Sequence, residues 1–298
     1  MNRLQEPPSK RTLDEDIPEL KQYLKPGAKV LDVGCGFGTI TLGVADIVDP
    51  GEVVGVDPGK DRVDVALEWS GQVTHPGNIT FQVGDSHQLD FPDDTFDVVY
   101  SHTVLHFFLD PVMGLKEQKR VSKKGGWVIA SGVRDHASFR YPPCPHWEKL
   151  FEACRHYMVV RLEEYRASRK EPAQFIEELY KSALSYLFYW DIHAGRKCPE
   201  WFHKAGLEDI RIEIQPRRVK YQGPNGMEPD ALDFLVLDES ESEPWYQRQF
   251  MSDHQRMISE GLLDEETLEK ATDEARAWYK DPDAFQYWPE VFAAARVK

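Results

Sequence analysis

The sequence predicts an α/β protein built on a doubly wound, mostly parallel sheet, and three observations carry that prediction. The apolar run Val30, Leu31 and Val33 enters a turn with Gly34, Gly36 and Gly38, after which the apolar spacing becomes helical at Ile40, Leu42, Val44 and Ile47. Strand, tight loop and helix in that order begin a βαβ unit. Further short apolar runs follow, and each ends in polar residues. Polar groups therefore gather at the carboxyl edge of a parallel sheet, which is where open α/β sheets bind ligands.

The glycines of the first turn permit backbone torsions closed to other residues, and without a Cβ they let a ligand lie against the main chain. The helix behind them offers free N–H groups suited to an anionic group. The spacing is not that of a dinucleotide fingerprint, since Thr39 stands where a third glycine belongs and Gly38 comes one residue early. No lysine follows the glycines, so a phosphate-cradling G-x-x-x-x-G-K-[ST] loop is absent as well.

The second strand, Glu52 to Asp57, ends in a carboxylate at about the ~20-residue offset of an acid that accepts from ribose hydroxyls. An ionised Asp57 can take both hydroxyls at once. The third, from Ile79, runs into Gly84-Asp85-Ser86-His87, where Asp85 suits the exocyclic amine of adenine. The fourth, Phe96 to Tyr100, leads to Ser101-His102-Thr103-Val104-Leu105-His106. The fifth, Gly126 to Ser131, follows a sharp turn at Lys123-Lys124-Gly125-Gly126.

Beyond Asp135 the composition turns aromatic, with Trp147, Phe151, Tyr157, Phe175, Tyr186 and Trp190 among others. Helical spacing (Trp147, Leu150, Phe151, Cys154; Phe175, Ile176, Leu179, Ala183, Leu187) predicts a helical insertion over 136–197. It is bounded by prolines at 142, 143, 145 and 199 and expected to lie over the carboxyl edge. Its aromatics either pack it onto the sheet or wall an apolar pocket. A helix ending at Gly206, a strand over 210–214, helices over 245–260 and 264–279, and a strand from Val291 complete the chain. Asp264 with Glu265 and Glu266 reads as a helix start. With no repeat or linker, the chain reads as one domain, core 20–135 and 198–298 with insertion 136–197.

Acidic residues outnumber basic ones, 51 to 36, for a formal charge of −15. A field of that sign repels phosphate backbones and argues against sequence-independent nucleic-acid binding. No secretory leader and no run of 18 apolar residues is visible. The four cysteines, Cys35, Cys144, Cys154 and Cys198, make no C-x-x-C pair and no metal spacing. They are expected as free thiols in a reducing cytoplasm, with no bound metal.

Asp32-x-Gly34-x-Gly36-x-Gly38, Gly84-Asp-Ser-His-Gln-Leu-Asp-Phe-Pro, Val104-Leu-His-Phe-Phe-Leu-Asp-Pro and Arg120-Val-Ser-Lys-Lys-Gly-Gly lie within residues 9–135. Together they resemble the UbiE/COQ5-like (type 11), small-molecule branch of the class I S-adenosylmethionine-dependent methyltransferases. The resemblance implies a Rossmann-like seven-stranded sheet with its last strand antiparallel, and S-adenosylmethionine as methyl donor with S-adenosylhomocysteine as product. It places Gly34, Gly36 and Gly38 at the methionine end, Asp57 at ribose, Asp85 and Ser86 at adenine, and Ser101 and His102 beside the sulfonium, and it counts Asp32 among the cofactor-binding residues. It also brings Arg11, of the pair Arg11-Thr12, toward the methionine carboxylate. Ser122-Lys123-Lys124 departs from the family's usual Lys-Pro before the glycines, which affects a turn and no ligand contact.

Methyl transfer from a sulfonium is mainly a matter of holding nucleophile, methyl and sulfur in line. A base helps when the nucleophile carries a proton, and His106 is the first candidate, with His102 four residues before it on an expected helical turn. Asp135, His136, Tyr141 and His193 are further candidates to approach the pocket. The expected acceptor is a small, largely apolar molecule of secondary metabolism methylated on oxygen, nitrogen or sulfur. Carbon methylation of a quinone precursor and a non-catalytic cofactor-binding scaffold are the alternatives.

Overall fold

The computed structural model describes residues 7–108, 110–134, 139–150, 152–153, 156, 191, 193–221, 255, 257–281 and 283–298. The chain divides into two compact units, one of residues 1–135, 193–215 and 289–298, the other of 136–192 and 216–288.

In the first unit, Thr12 caps a one-turn helix α1 (Leu13–Asp16), and a 3-10 turn (Pro18–Tyr23) leads to the sheet. The alternation then runs β1 (Lys29–Val33), α2 (Thr39–Val48), β2 (Glu52–Asp57), α3 (Lys60–Ser70), β3 (Ile79–Val83) and β4 (Phe96–His102). It continues with α4 (Pro111–Val121), β5 (Ser122–Arg134), α5 (Ala194–Lys204) and β7 (Glu208–Tyr221), and closes on β8 (Phe285–Arg296). Strands β3, β2, β1, β4 and β5 are parallel in that spatial order, β8 is antiparallel to β5, and β7 pairs with β8. The order reverses between β1 and β4, which opens a crevice at their carboxyl ends.

Neighbouring residues of β1 are buried on opposite faces of the sheet. Leu31 and Val33 of β1 join Leu115 and Val121 of α4 and Phe202 of α5 on one face. Val30 joins Ile17, Leu20, Val44, Val48 and Phe292 on the other. Apolar residues on both faces are what a sheet covered on both sides requires. Such a sheet has a polar address only at its strand ends.

The second unit has its own core. β6 (Phe139–Tyr141) pairs antiparallel with the first residues of β8, Tyr141 opposite Phe285. Residues 145–150 are helical and pack with α6 (Glu265–Lys280), Trp147 meeting Trp278 edge-on at 5.8 Å between ring centroids. Cys144, Leu150, Met257, Leu263, Ala271 and Ala275 fill the rest. Glu274 accepts from the backbone N–H groups of His146 and Trp147 and contacts His146 Nδ1 at 2.6 Å. It thereby satisfies amides at the start of that helix.

Several expectations are corrected here. The Rossmann-like sheet with an antiparallel last strand is as expected, and among the described residues the short β6 is added beside β8. The turn at Lys123–Gly126 is a bulge inside β5: between Phe96↔Ser122 and Val98↔Trp127 two steps on β4 face five on β5. Residues 216–288 group with the insertion instead of the core, and α5 begins at Ala194 and runs through Pro199. Trp147 packs against α6. The helix start at Asp264 is as read, Asp264 Oδ1 accepting from Thr267 N at 2.6 Å. Most of the aromatic insertion (157–190, with Phe151 and Cys154) and most of the helix expected over 245–260 lie outside the described residues.

Candidate functional site

The carboxyl ends of β1, β2, β3 and β4 are knitted together by the backbone. Gly34 N and Cys35 N both donate to Val56 O, and Gly84 N donates to Asp57 O. Gly36 N reaches the Asp57 carboxylate, 3.0 Å from Oδ2. The glycine loop, the acid of β2 and the start of the Asp85 loop thus share one edge.

Gly34 (φ +82°) allows the tight fold-back, and a Cβ there would lie 2.5 Å from the Val104 side chain. Gly36 (φ +55°) is different, because a Cβ built on it meets nothing within 4 Å. That open space above a bare backbone is the cradle a ligand needs.

Asp32 departs from its expected role. It is 3 % exposed, and its Oδ2 accepts from Thr41 Oγ1 (2.7 Å) and Tyr100 OH (2.6 Å). Burial pushes its carboxyl up to about 6, against the pull of those two hydrogen bonds, and the nearby Asp57 charge raises it further. The same setting raises the Tyr100 phenol and the Cys35 thiol. Asp32 ties β1 to β4 and α2 behind the loop instead of standing at the ligand face.

Asp57, 4 % exposed, is closely held. Its Oδ1 accepts from Gly59 N and from Arg62 Nε, both at 2.8 Å. An oxygen offers two lone pairs, so Oδ1 is saturated and Oδ2 keeps one. The expected grip on both ribose hydroxyls requires Arg62 to withdraw from Oδ1. Arg62 was missed in the sequence, although its place in the first turn of α3, five residues after Asp57, was a usable signal.

Asp85 stands at the end of β3 with its Oδ1 accepting from His87 N (2.8 Å) and 2.9 Å from His87 Nδ1. Burial raises its carboxyl, but the bonds from His87 outweigh burial and hold it below the ordinary range. Ser86 Oγ lies 3.4 Å from the same ring nitrogen.

At the end of β4, Ser101 is 1 % exposed and its Oγ has no hydrogen-bond partner among the described residues. A buried hydroxyl without a partner costs free energy, which a ligand at this edge can recover. His102 Nδ1 lies 3.3 Å from Ser131 Oγ. Thr103 then takes φ 56°, its N donating to Ser131 O, and Arg11 Nη1 donates to Thr103 Oγ1 at 2.5 Å. Arg11, far off in sequence, is therefore anchored at the end of β4.

The left-handed Thr103 overturns the expected helical turn. His102 ends a strand, whereas His106 sits in a 3-10 turn (Leu105–Phe107), 1 % exposed with its ring 4.4 Å from that of Phe107. Asp135 and His136 lie outside the described residues, Tyr141 belongs to the second unit, and His193 precedes α5. Among the described residues, no group of three or more His, Cys, Asp or Glu is placed to hold a metal ion.

A parallel sheet switching direction beside a glycine loop, with acids at the next two strand ends, defines a nucleoside-binding α/β fold. The open backbone over Gly36, the buried Ser101 hydroxyl and the Asp57 and Asp85 carboxylates fit an adenosyl group carrying an amino-acid tail.

Residues 31–130 match the family described as "Methyltransferase domain". The matched segment holds the glycine loop and the carboxyl ends of β1 to β4, and it is similar to methyltransferases. It is 40 % identical over 137 residues to an uncharacterized methyltransferase of Schizosaccharomyces pombe, covering 44 % of this chain and 49 % of the relative. It is 26 % identical over 191 residues to the demethylmenaquinone methyltransferase of Staphylococcus haemolyticus, covering 64 % and 72 %. The fold is that of the YcgJ protein of Bacillus subtilis, with a TM-score of 0.51 at 19 % identity over 94 % of this chain and 97 % of that one. The chain spans about half the length, or less, of the curated relatives it matches, the staphylococcal enzymes excepted.

Proposed function

We propose that this chain binds S-adenosylmethionine across the carboxyl ends of β1 to β4 and directs its methyl group to a small, largely apolar acceptor through oxygen, nitrogen or sulfur. The observation that carries the reading is the meeting of Gly36, Asp57 and Gly84 at one edge, with open space over Gly36. The cofactor supplies a methyl carbon already activated by a sulfonium. The chain's task is then to position and to desolvate. Gly34 and Gly36 present bare backbone to the amino-acid tail, with Arg11 as its cationic partner. Asp57 accepts from ribose, Asp85 from the adenine amine with Ser86 beside it, and Ser101 and His102 flank the sulfonium.

The acceptor's environment follows from what surrounds the end of β4. Leu105 and Phe108 are buried and apolar, and His102 and His106 are the titratable groups of the segment 101–108. A thiol or phenol, with pKa near ~8.5 or ~10, is a nucleophile for which an imidazole is a useful proton acceptor. Carbon methylation of a quinone precursor is the second reading, supported by the likeness to the staphylococcal demethylmenaquinone methyltransferase. The free thiols of Cys35, Cys144 and Cys198 are consistent with a cytoplasmic, reducing setting. Among the described residues, no helix is long and apolar enough to cross a membrane.

Calorimetric titration with S-adenosylmethionine and with NADH tests the cofactor. Micromolar binding of the first and none of the second is expected, and equal binding of both overturns the reading. Mass spectrometry of a metabolite extract incubated with the chain and methyl-labelled S-adenosylmethionine then identifies acceptor and linkage. A labelled quinol carbon selects the second reading over the first, and binding without any labelled product leaves the scaffold.

A further inference from the structure

His87 lies between two parts of the site that the sequence keeps separate. Its ring is buried at 7 % exposure, against Phe108 at 5.5 Å between centroids. On one side, Nδ1 is 2.9 Å from Asp85 Oδ1. On the other, Nε2 accepts from the backbone N–H of Asp110 at 3.2 Å. These two contacts fix the tautomer. Nε2 is an acceptor and so carries no proton, which leaves the single N–H at Nδ1, donating to Asp85. A neutral imidazole donates at one ring nitrogen and accepts at the other, as these two contacts require.

What each end holds matters. Asp85 is the carboxylate assigned to adenine, and its Oδ1 is fully taken by the His87 backbone and side chain. The carboxylate cannot rotate freely, so Oδ2 is the oxygen left to meet a ligand. Asp110 is the N-cap of α4, its Oδ1 accepting from Met113 N and its backbone carbonyl from Gly114 N. The 3-10 turn bearing His106 ends three residues earlier, at Phe107. The loop after Asp85 is also tied further along α4, where Glu117 accepts from Leu89 N and Arg120 donates to the Leu89 and Phe91 carbonyls.

We infer that His87 is a positioning residue that aims Asp85 at the adenine amine and, through the Asp110 amide, couples adenine recognition to the turn carrying His106. The inference rests on the cofactor reading above. It adds a second specification to the loop, since the site distinguishes adenosyl from inosyl ligands only while His87 holds Asp85. An inosyl group presents a carbonyl oxygen where adenine presents an amine, and a fixed carboxylate repels it.

Two substitutions separate the two ends of the ring. His87→Asn keeps a donor near the Nδ1 position and loses the acceptor for Asp110. His87→Gln keeps an acceptor near the Nε2 position and loses the donor to Asp85. The test is calorimetric binding of S-adenosylhomocysteine and S-inosylhomocysteine to the full chain and both variants, with amide hydrogen exchange at Asp110. The unaltered chain should prefer the adenosyl ligand by about tenfold or more, the scale of one hydrogen bond to a charged group. His87→Asn should keep that preference while the Asp110 amide exchanges faster. His87→Gln should lose it while that amide stays protected.

A His87→Gln chain that discriminates as well as the unaltered one overturns the inference, as does an unaltered chain that binds both ligands equally. Unchanged exchange at Asp110 in His87→Asn removes the coupling. The Glu117 and Arg120 ties remain in both variants, and a thermal transition close to that of the unaltered chain confirms folding. Binding of neither ligand by the unaltered chain would sink the cofactor reading itself, a result distinct from the loss of discrimination alone.

Discussion

In the first unit, consecutive strand ends meet: Gly36 with Asp57, Gly84 with Asp57, Thr103 with Ser131. In the second, the deciding contacts join segments 127 and 128 residues apart, Glu274 with Trp147 and His146. Both are cores sealed by hydrogen bonds at an element's end. They differ in how far apart in the chain their partners lie. A βαβ series repeats a local rule, so its strand ends are brought to one edge by right-handed crossovers whatever else the chain does. A core made from two distant segments has no such rule behind it.

The largest effect is expected in the second unit. Trp147→Ala removes a fully buried indole packed on Trp278 and should cost about 3–5 kcal/mol, with S-adenosylmethionine affinity unchanged. Urea unfolding followed beside calorimetry checks both. A matching loss of affinity would mean that cofactor binding depends on the second unit's core.

Asp32 provides the second probe, through pH. The folded chain raises its carboxyl from 3.8 to about 6. A raised value means that the fold favours the protonated form, so this group's contribution is complete below 3.8 and lost as pH rises through about 6. Asp32→Asn keeps an oxygen for Thr41 and Tyr100 and has nothing to titrate. Its stability relative to the unaltered chain should improve by up to about 3 kcal/mol between about pH 4 and about pH 7.5. A difference that does not change with pH would show Asp32 to be neutral or well solvated.

Asp57→Ala should weaken S-adenosylmethionine about tenfold to a hundredfold, the scale of the one hydrogen bond its free lone pair can accept, and leave the second unit's unfolding transition in place. Retained affinity in calorimetry would take Asp57 out of the site. The smallest effect is expected from Glu274→Gln, which spoils one of three bonds to the 144–147 segment. It should cost about 1 kcal/mol, read as a lower urea midpoint with no change in cofactor binding.

What the sequence disclosed follows the same division. The boundaries of β2 and β3 and the cap at Asp264 were legible, because each rests on periodicity or on one residue's local chemistry, whereas the antiparallel direction of β8 came from the family resemblance. The places of Gly36, Asp57 and Asp85 were legible for the same reason. Thr103 was not, since a non-glycine residue in the left-handed region carries no reliable signature. Asp32 was read as a ligand contact because an acid before a glycine loop looks the same whether it faces outward or is claimed from behind by Tyr100, 68 residues later. The grouping of 216–288 with 136–192 was equally hidden.

The sequence by itself determined the strand series, the glycine turn and the acids at the ends of β2 and β3, because alternation and backbone permissiveness act over a few residues. Only the tertiary structure decided which oxygens those acids keep for a ligand. Arg62 occupies Asp57, His87 turns Asp85, and Tyr100 with Thr41 withdraws Asp32. Each lone pair can be spent once, and its donor is chosen by proximity in space.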